Sequence, residues 1–107
     1  MLHLILAGLI SLTLQPTTCM EPCKVSVVIR VEPAKNNQRV IVQVESEDSP
    51  YYRRTDLDYS NGGPKIFELI YPDIPGGTYT VKVSLHKHDD KTWVAGTDSK
   101  TLKVGGR

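Results

Sequence analysis

The sequence predicts an all-β fold, a single antiparallel β-sandwich of about seven strands behind a hydrophobic leader. Apolar residues recur at every second position in several segments after residue 24, which is the period of a half-buried strand. Gly and Pro cluster between these segments and not inside them. No segment after the leader shows the 3.6-residue period of a helix. With 107 residues, the chain has room for one domain.

The leader is the apolar segment at residues 2–14, which contains no Lys, Arg, Asp or Glu. It is too short for a membrane-spanning helix, which needs about 20 residues. Its length suits the hydrophobic region of a signal peptide. We therefore predict a signal peptide at residues 1–18 and a secreted or periplasmic protein. The alternative is that this segment is a buried N-terminal strand or helix of the domain.

Two cysteines follow in a short linker at residues 19–23. Cys19 and Cys23 are separated by three residues, so they lack the Cys-x-x-Cys spacing of thioredoxin-like sites. In an oxidising compartment they are expected to form a disulfide that closes a small loop. As an alternative, Cys19 is the lipidated N-terminal residue of a membrane-anchored lipoprotein, although residues 15–18 depart from the usual lipobox pattern.

The strands of the sandwich, expected over residues 24–104, follow from the alternation. In chain order they are predicted at residues 24–31, 40–45, 51–55, 66–71 and 79–86, followed by a last strand or strand pair at residues 92–95 and 100–104. The strand at 51–55 is weak, and its Arg53 and Arg54 suit an edge, where charges discourage pairing with other chains. A bulge is expected at Gly96. Residues 105–107 are expected to form a frayed tail.

One segment carries a resemblance to a known family. Residues 74–85 read Ile-Pro-Gly-Gly-Thr-Tyr-Thr-Val-Lys-Val-Ser-Leu. This run, with the polar segment and final strand that follow it, resembles the E–F corner and the last two strands of bacterial immunoglobulin-like domains of the PKD and fibronectin-III type. The resemblance covers roughly the last third of the chain. It implies an immunoglobulin-like sandwich in which Tyr79 buries its ring and bonds its hydroxyl back to the corner.

Composition and motifs limit the function. The chain has 13 Lys and Arg against 12 Asp and Glu, so it lacks the basic excess of a nucleic-acid-binding protein. It contains neither a Gly-x-Ser-x-Gly nucleophile elbow nor a phosphate-binding Gly loop before a helix. We expect no enzyme activity and no cofactor. The sequence favours a binding or structural module whose ligand is a protein or a glycan.

Aromatic residues provide one candidate binding site. Tyr51, Tyr52 and Trp93 could form a platform for a glycan or a protein, since exposed aromatic side chains often contribute to binding. The alternative is that Trp93 and one of the tyrosines fill the core.

Histidines provide a candidate metal site. His86 and His88 lie two residues apart and therefore on one face of a strand, where two imidazoles can share a metal ion. A third ligand would have to come from another strand. A solvated pair of histidines is the alternative. The acidic segment at residues 56–62 resembles the start of an EF-hand calcium loop. Counted from Asp56, however, Gly62 and Glu68 each stand one residue after the position that the EF-hand pattern requires, which favours a surface turn.

Overall fold

The computed structural model describes residues 9–87 and 94–106, and this part of the chain forms two packed β-sheets without a helix. The all-β sandwich prediction is therefore confirmed. No helix in the described residues is long and apolar enough to cross a membrane. The strands are β1 (Ile10–Gln15), β2 (Thr18–Met20), β3 (Cys23–Val31), β4 (Asn37–Ser46), β5 (Tyr52–Asp58), β6 (Ile66–Ile74), β7 (Gly77–Lys87) and β8 (Val94–Gly105).

The first sheet has the order β1-β3-β6 and the second has the order β2-β8-β7-β4-β5. Neighbouring strands are antiparallel except β2, which pairs in parallel with β8. The edge position expected for the charged strand at 51–55 is confirmed, because β5 ends the second sheet. The last strand is continuous, and its irregularity lies at Ala95, beside the predicted position Gly96.

The core lies between the sheets and is built by the period-two pattern. On β3, four alternate side chains have no more than 1% of their surface exposed, while the side chains between them face outward. A similar alternation on β4 and β7 fills the opposite wall, although Ile41 and Ser84, which stand between inward residues, are also buried. Core residues of these three strands are Val25, Val27, Ile29, Val31, Val40, Val42, Val44, Tyr79, Val81, Val83 and Leu85. Burial of such aliphatic and aromatic side chains supplies most of the folding free energy.

The strand β1 comes from within the predicted leader. Ile10, Leu12 and Leu14 are buried in the core, and β1 pairs along its whole length with β3. At the free edge of β1, the Leu12 N–H donates to Asp98 Oδ2 of β8 at 2.9 Å, which connects the two sheets. The sandwich of the structure thus begins at Ile10, not at residue 24. Cleavage of a signal peptide after residue 18 stays a prediction.

At the C-terminal end, Gly105 was expected in the frayed tail, but it is the last residue of β8 and pairs with Met20. The Glu21 N–H donates to the Gly105 carbonyl at 2.9 Å. These contacts exist because β2 runs alongside the end of β8. The ordered fold therefore includes Gly105.

The corner between β6 and β7 has the predicted geometry. Tyr79 is completely buried, and its hydroxyl donates to the Pro75 carbonyl at 2.6 Å. Gly77 has a φ of +148°, which a residue with a Cβ rarely adopts, so the glycine allows the sharp turn. The Gly76 N–H donates to Glu21 Oε1 at 2.5 Å, which ties the corner to the segment after β2. The tyrosine corner expected from the resemblance is confirmed.

Three core tyrosines make the fold sensitive to alkaline pH. Burial raises the pKa of Tyr59, Tyr71 and Tyr79 above the ordinary value of 10.0, although the Thr55 hydroxyl partly opposes this for Tyr71. Above about pH 10 the unfolded chain therefore loses protons that the folded chain keeps, and the free energy of unfolding falls as pH rises. We expect urea midpoints to fall between pH 9 and 11. In Tyr71→Phe the urea midpoint should fall less over this pH range. A fall as large as that of the wild type would show that Tyr71 does not contribute to the pH dependence.

Candidate ligand groove at one end of the sandwich

A groove of about 570 Å³ lies at one end of the sandwich. The β3–β4 and β5–β6 connections both lie at this end, since Arg30 pairs with Ile66 and Arg39 pairs with Asp58. Lys87, the last residue of β7, also reaches this end, where it pairs with Asn37. The groove is lined by Val31, Pro33, Ala34, Lys35, Asn37, Tyr59, Ser60, Asn61, Gly62, Gly63 and Pro64.

On the β3–β4 side the wall contains a buried polar side chain. Asn37 is only 4% exposed, its backbone N–H donates to the Ala34 carbonyl at 3.2 Å, and its Nδ2 donates to the Glu32 carbonyl at 3.0 Å. These bonds fold the connection back on the start of β4. The remaining polar atom, Asn37 Oδ1, has no hydrogen-bond partner within the described part of the chain. A buried acceptor left unpaired costs about 1–3 kcal/mol.

On the β5–β6 side the wall is held by Tyr59. This side chain is buried, and its hydroxyl donates to the Pro64 carbonyl at 2.8 Å. Gly63 lies against the ring, because a Cβ at this position would come within 2.5 Å of Tyr59 Cε2. The Gly62 N–H donates to the Tyr59 carbonyl at 3.0 Å. The turn cluster of the sequence thus forms a fixed wall around one tyrosine.

The carboxylates of the β5 segment have protein partners. Asp58 Oδ1 accepts the Ser60 N–H at 2.8 Å and the Ser60 hydroxyl at 2.6 Å, and these bonds lower the pKa of Asp58. Arg54 bonds Asp56 at 2.7 Å and lowers the pKa of Asp56. Asp58 and Ser60 therefore form an Asx turn directly after β5. Among the described residues that line the groove, Lys35 is the only one with a charged side chain.

Tyr51 and Tyr52 of the predicted aromatic site do not form a shared surface in the structure. The rings of Tyr51 and Tyr79 lie nearly perpendicular with their centres 5.3 Å apart, and the Arg53 guanidinium lies over the Tyr51 ring, 4.5 Å from its centre. The ring of Tyr52 is 43% exposed, and its hydroxyl accepts a hydrogen bond from Gln43 Nε2 at 3.0 Å. The two tyrosines thus contact different neighbours. Trp93 lies outside the described residues, so its part in a binding platform stays a prediction.

Of the predicted metal ligands, the structure describes His86 only, since His88 lies outside the described residues. His86 is half-buried near the end of β7, where its pairing partners are Arg39 of β4 and Val94 of β8. Residues 9–87 and 94–106 contain no group of three or more His, Cys, Asp or Glu side chains that could hold a metal ion. The histidine metal site stays a prediction.

Cys19 and Cys23 form a disulfide with their Cα atoms 5.9 Å apart. Cys19 belongs to β2 of the second sheet and Cys23 begins β3 of the first, so this short loop joins the two sheets. Closure of so small a loop is expected to stabilise the fold by about 2 kcal/mol.

We therefore expect a reductant to lower the urea midpoint of the wild-type chain. The double variant Cys19→Ser, Cys23→Ser should show the lower midpoint under both conditions. Equal midpoints for the wild type with and without reductant would contradict a stabilising role.

Asn37 and Tyr59 were not recognised from the sequence as groove residues. Asn37 stands in a polar run, and nothing in that run separates a buried asparagine from an exposed one. Tyr59 stands just before the turn cluster at residues 60–64. A large aromatic residue next to a Gly-Gly-Pro turn was the available signal, because such a ring often packs beneath the turn.

Comparison with known proteins assigns the fold. No protein-family profile matches the chain, and no curated protein matches it. Among solved structures, it is similar to the CARDB domain of the PF1109 protein from Pyrococcus furiosus, which was determined in complex with di-metal ions. The TM-score is 0.56 and the sequence identity is 12%, and the match covers 92% of this chain and 93% of that one. The likeness shows an immunoglobulin-like β-sandwich.

Proposed function

We propose that this chain is an exported, non-enzymatic immunoglobulin-like module that binds its ligand in the groove between the β3–β4 and β5–β6 connections. The observation that carries the proposal is the groove itself, whose lining combines apolar side chains with the polar side chains of Lys35, Ser60 and Asn61. Ligand sites are concave and combine apolar surface with a few placed polar groups. In variable immunoglobulin domains, the loops at one end of the sandwich are the ones that bind.

One feature supports export without removing β1 from the fold. The Cys19–Cys23 disulfide suits a protein of an oxidising compartment, because cytosolic thiols are kept reduced. The disulfide is consistent with a secreted or periplasmic chain that keeps Ile10, Leu12 and Leu14 in its core.

The lipid-anchored alternative conflicts with the disulfide. A lipoprotein carries its lipid on the sulfur of Cys19, and that sulfur is bonded to Cys23 in the structure. One sulfur atom cannot form both bonds, so the anchored and the disulfide-bonded chains are different species. We therefore favour the free exported module.

Intact mass and N-terminal sequencing of the protein from fractions of its native host test export. We expect a soluble exported chain whose mass is lower by two hydrogens than that of the reduced form. A chain with diacylglycerol on Cys19 in the membrane fraction would establish the anchored alternative. A chain starting at Met1 in the cytoplasm would overturn the export proposal.

A fragment screen followed by NMR amide shifts tests the groove. We expect small polar fragments to shift the signals of residues 31–37 and 59–64 more than those of the rest of the chain. Ala34→Phe should fill the groove and abolish these shifts, while Lys103→Phe places the same ring at the other end and should keep them. Shifts without a common location, or shifts that survive Ala34→Phe, would overturn the assignment.

A further inference from the structure

We infer that two copies of this chain form a dimer in which β5 of one copy pairs antiparallel with β5 of the other, with Thr55 on the two-fold axis. This surface lies outside the groove, because none of the described residues of β5 lines it, so the dimer does not depend on the proposed function. Three observations lead to it: the free backbone groups along β5, the order of the charges on its outer face, and the properties of the other strand edges.

The outer edge of β5 has backbone groups that no described strand uses. β5 ends the second sheet, where its neighbour is β4. At the two ends of this pairing, the Ser46 N–H donates to the Tyr51 carbonyl at 3.1 Å and the Tyr59 N–H donates to the Gln38 carbonyl at 2.9 Å. Bonded and non-bonded pairs alternate along an antiparallel ladder, so the odd-numbered residues of this segment bond to β4. The even-numbered residues direct their N–H and C=O groups to the free edge, and they are Tyr52, Arg54, Asp56 and Asp58.

The outer face of β5 carries opposite charges at neighbouring positions. Arg54 Nε and Nη2 donate to Asp56 Oδ1 and Oδ2 at 2.7 Å and 3.1 Å. The two side chains remain accessible, with 46% and 43% of their surface exposed. Because residues two apart lie on the same face of a strand, this ion pair runs along the edge. A strand running in the opposite direction shows the same two charges in the reverse order, so the edge is complementary to itself.

An antiparallel copy with Thr55 on the axis aligns the free backbone groups and the charges at the same time. Arg54 then faces the partner's Asp56, and Asp56 faces the partner's Arg54, with Cβ atoms about 5 Å apart. Each charge has an opposite charge beside it on its own strand and another across the interface. An axis at Arg54 would place this arginine opposite its own copy, and an axis at Asp56 would do the same for the aspartate. Like charges directly opposite are destabilising, so the charges select one register.

Tyr52 and Asp58 form the ends of the interface, where each faces the other across the axis. The Tyr52 side chain is 43% exposed and is available for contact with the partner. Its carbonyl accepts a hydrogen bond from Arg53 Nη1 at 3.0 Å, and a carbonyl oxygen has a second lone pair for the partner's N–H. The two-fold interface closes at two copies, because it leaves no further β5 edge.

Charges on an edge strand discourage pairing with most other strands. They do so because a charge that loses water without gaining a partner costs free energy. A second copy supplies the opposite charge at both Arg54 and Asp56. The same charges that exclude a strand without them therefore favour the strand of an identical chain.

The other edges of the described sheets are less suited to self-pairing. On β1 the Leu12 N–H is already bonded to Asp98 of β8, and β2 has only three residues. On β6 an antiparallel copy that places Ile66 opposite Ile70 also places Glu68 opposite Glu68. The edge of β5 is the one on which backbone and side chains agree.

Sedimentation velocity of the oxidised full chain over a range of concentrations tests the inference. We expect the wild type to pass from one to two chain masses as its concentration rises. In the dimer, hydrogen exchange measured by NMR should slow at the amides of Tyr52, Arg54, Asp56 and Asp58. Arg54→Asp should raise the dissociation constant about tenfold or more, since two cross-strand pairs change from opposite to like charge. Lys103→Asp makes the same change of charge on β8, three strands from β5, and should dimerise as the wild type does.

A mixing experiment separates pairing between chains from the ion pair within one chain. Arg54→Asp and Asp56→Arg each lose the internal ion pair, and each should be monomeric alone. Mixed in equal amounts they should form a heterodimer, because every cross-strand pair is again of opposite charge. The double variant Arg54→Asp, Asp56→Arg should form a homodimer. Thermal melts check that each variant is folded.

A wild type that stays monomeric up to its solubility limit would overturn the inference and leave the β5 edge to a strand of another protein. A dimer that forms equally well in Arg54→Asp lies on a different surface and would overturn it too. The same holds for single variants that do not associate when mixed. None of these results bears on the groove, which the fragment screen tests separately.

Discussion

A chain that starts at Cys19 is expected to lose its cooperative fold, because it lacks β1. The deletion removes Ile10, Leu12 and Leu14 from the core, and each buried aliphatic side chain stabilises the fold by about 1.5–3 kcal/mol. Together they supply about 5–9 kcal/mol, which is comparable with the whole stability of a small domain, about 5–15 kcal/mol. The deletion also exposes the edge of β3 to water. Urea unfolding followed by circular dichroism measures the effect.

A matched pair of point variants on β1 supports this test without shortening the chain. Leu12→Ala, in the core, is expected to cost about 2–5 kcal/mol. Thr13→Ala, the exposed neighbour, should change stability by less than about 0.5 kcal/mol. If the chain from Cys19 unfolds at the same urea concentration as the full chain, β1 is not part of the stable fold. The sandwich would then occupy residues 24–104, as the sequence predicted.

Tyr79→Ala is the second change with a large expected effect. The ring of Tyr79 is completely buried and contacts Tyr51, and its hydroxyl bonds Pro75 at the β6–β7 corner. Loss of a buried aromatic side chain costs about 3–5 kcal/mol. We therefore expect this single substitution to remove much of the stability of the domain, as measured by urea or thermal unfolding.

Tyr79→Phe separates the hydroxyl from the ring. It keeps the packing and leaves the Pro75 carbonyl without this donor, so we expect a cost of about 1–2 kcal/mol. Tyr52→Phe removes an exposed hydroxyl and should cost less than about 0.5 kcal/mol. Equal costs for the two variants would show that the corner hydrogen bond does not stabilise the fold.

Strands that bury one face were predictable from the sequence. On β3 and β7, buried aliphatic and aromatic residues alternate with residues that are mostly polar and exposed, so the sequence period predicts which face is buried. The alternation of β1 is equally regular, but Ile10, Leu12 and Leu14 continue directly from the apolar residues 2–9. The segment therefore resembled a signal-peptide hydrophobic region. Only its pairing with β3 shows that it belongs to the sandwich.

The groove was not predictable, because it depends on how two distant connections meet. Asn37 is buried only because its connection folds back on β4 through Ala34 and Glu32. Tyr59 turns inward under Gly63, while Tyr51 and Tyr52, which looked equally suited to binding, have neighbours of their own. Sequence pattern identifies which residues are polar or aromatic. Which of these residues line a groove and which pack against other side chains depends on tertiary contacts between segments that are distant in the sequence.

The directions of the strands determine how the domain would present its ligand if it were attached to something larger. The chain enters β1 at Ile10 beside Val31, at the groove, and leaves β8 beside Gly77, at the other end. β7 alone, with 11 residues, separates these ends by about 34 Å. A carrier or solid support joined after residue 106 would hold the groove outward, free for a bulky polymer to reach. A carrier joined before residue 9 would sit beside the groove and crowd it.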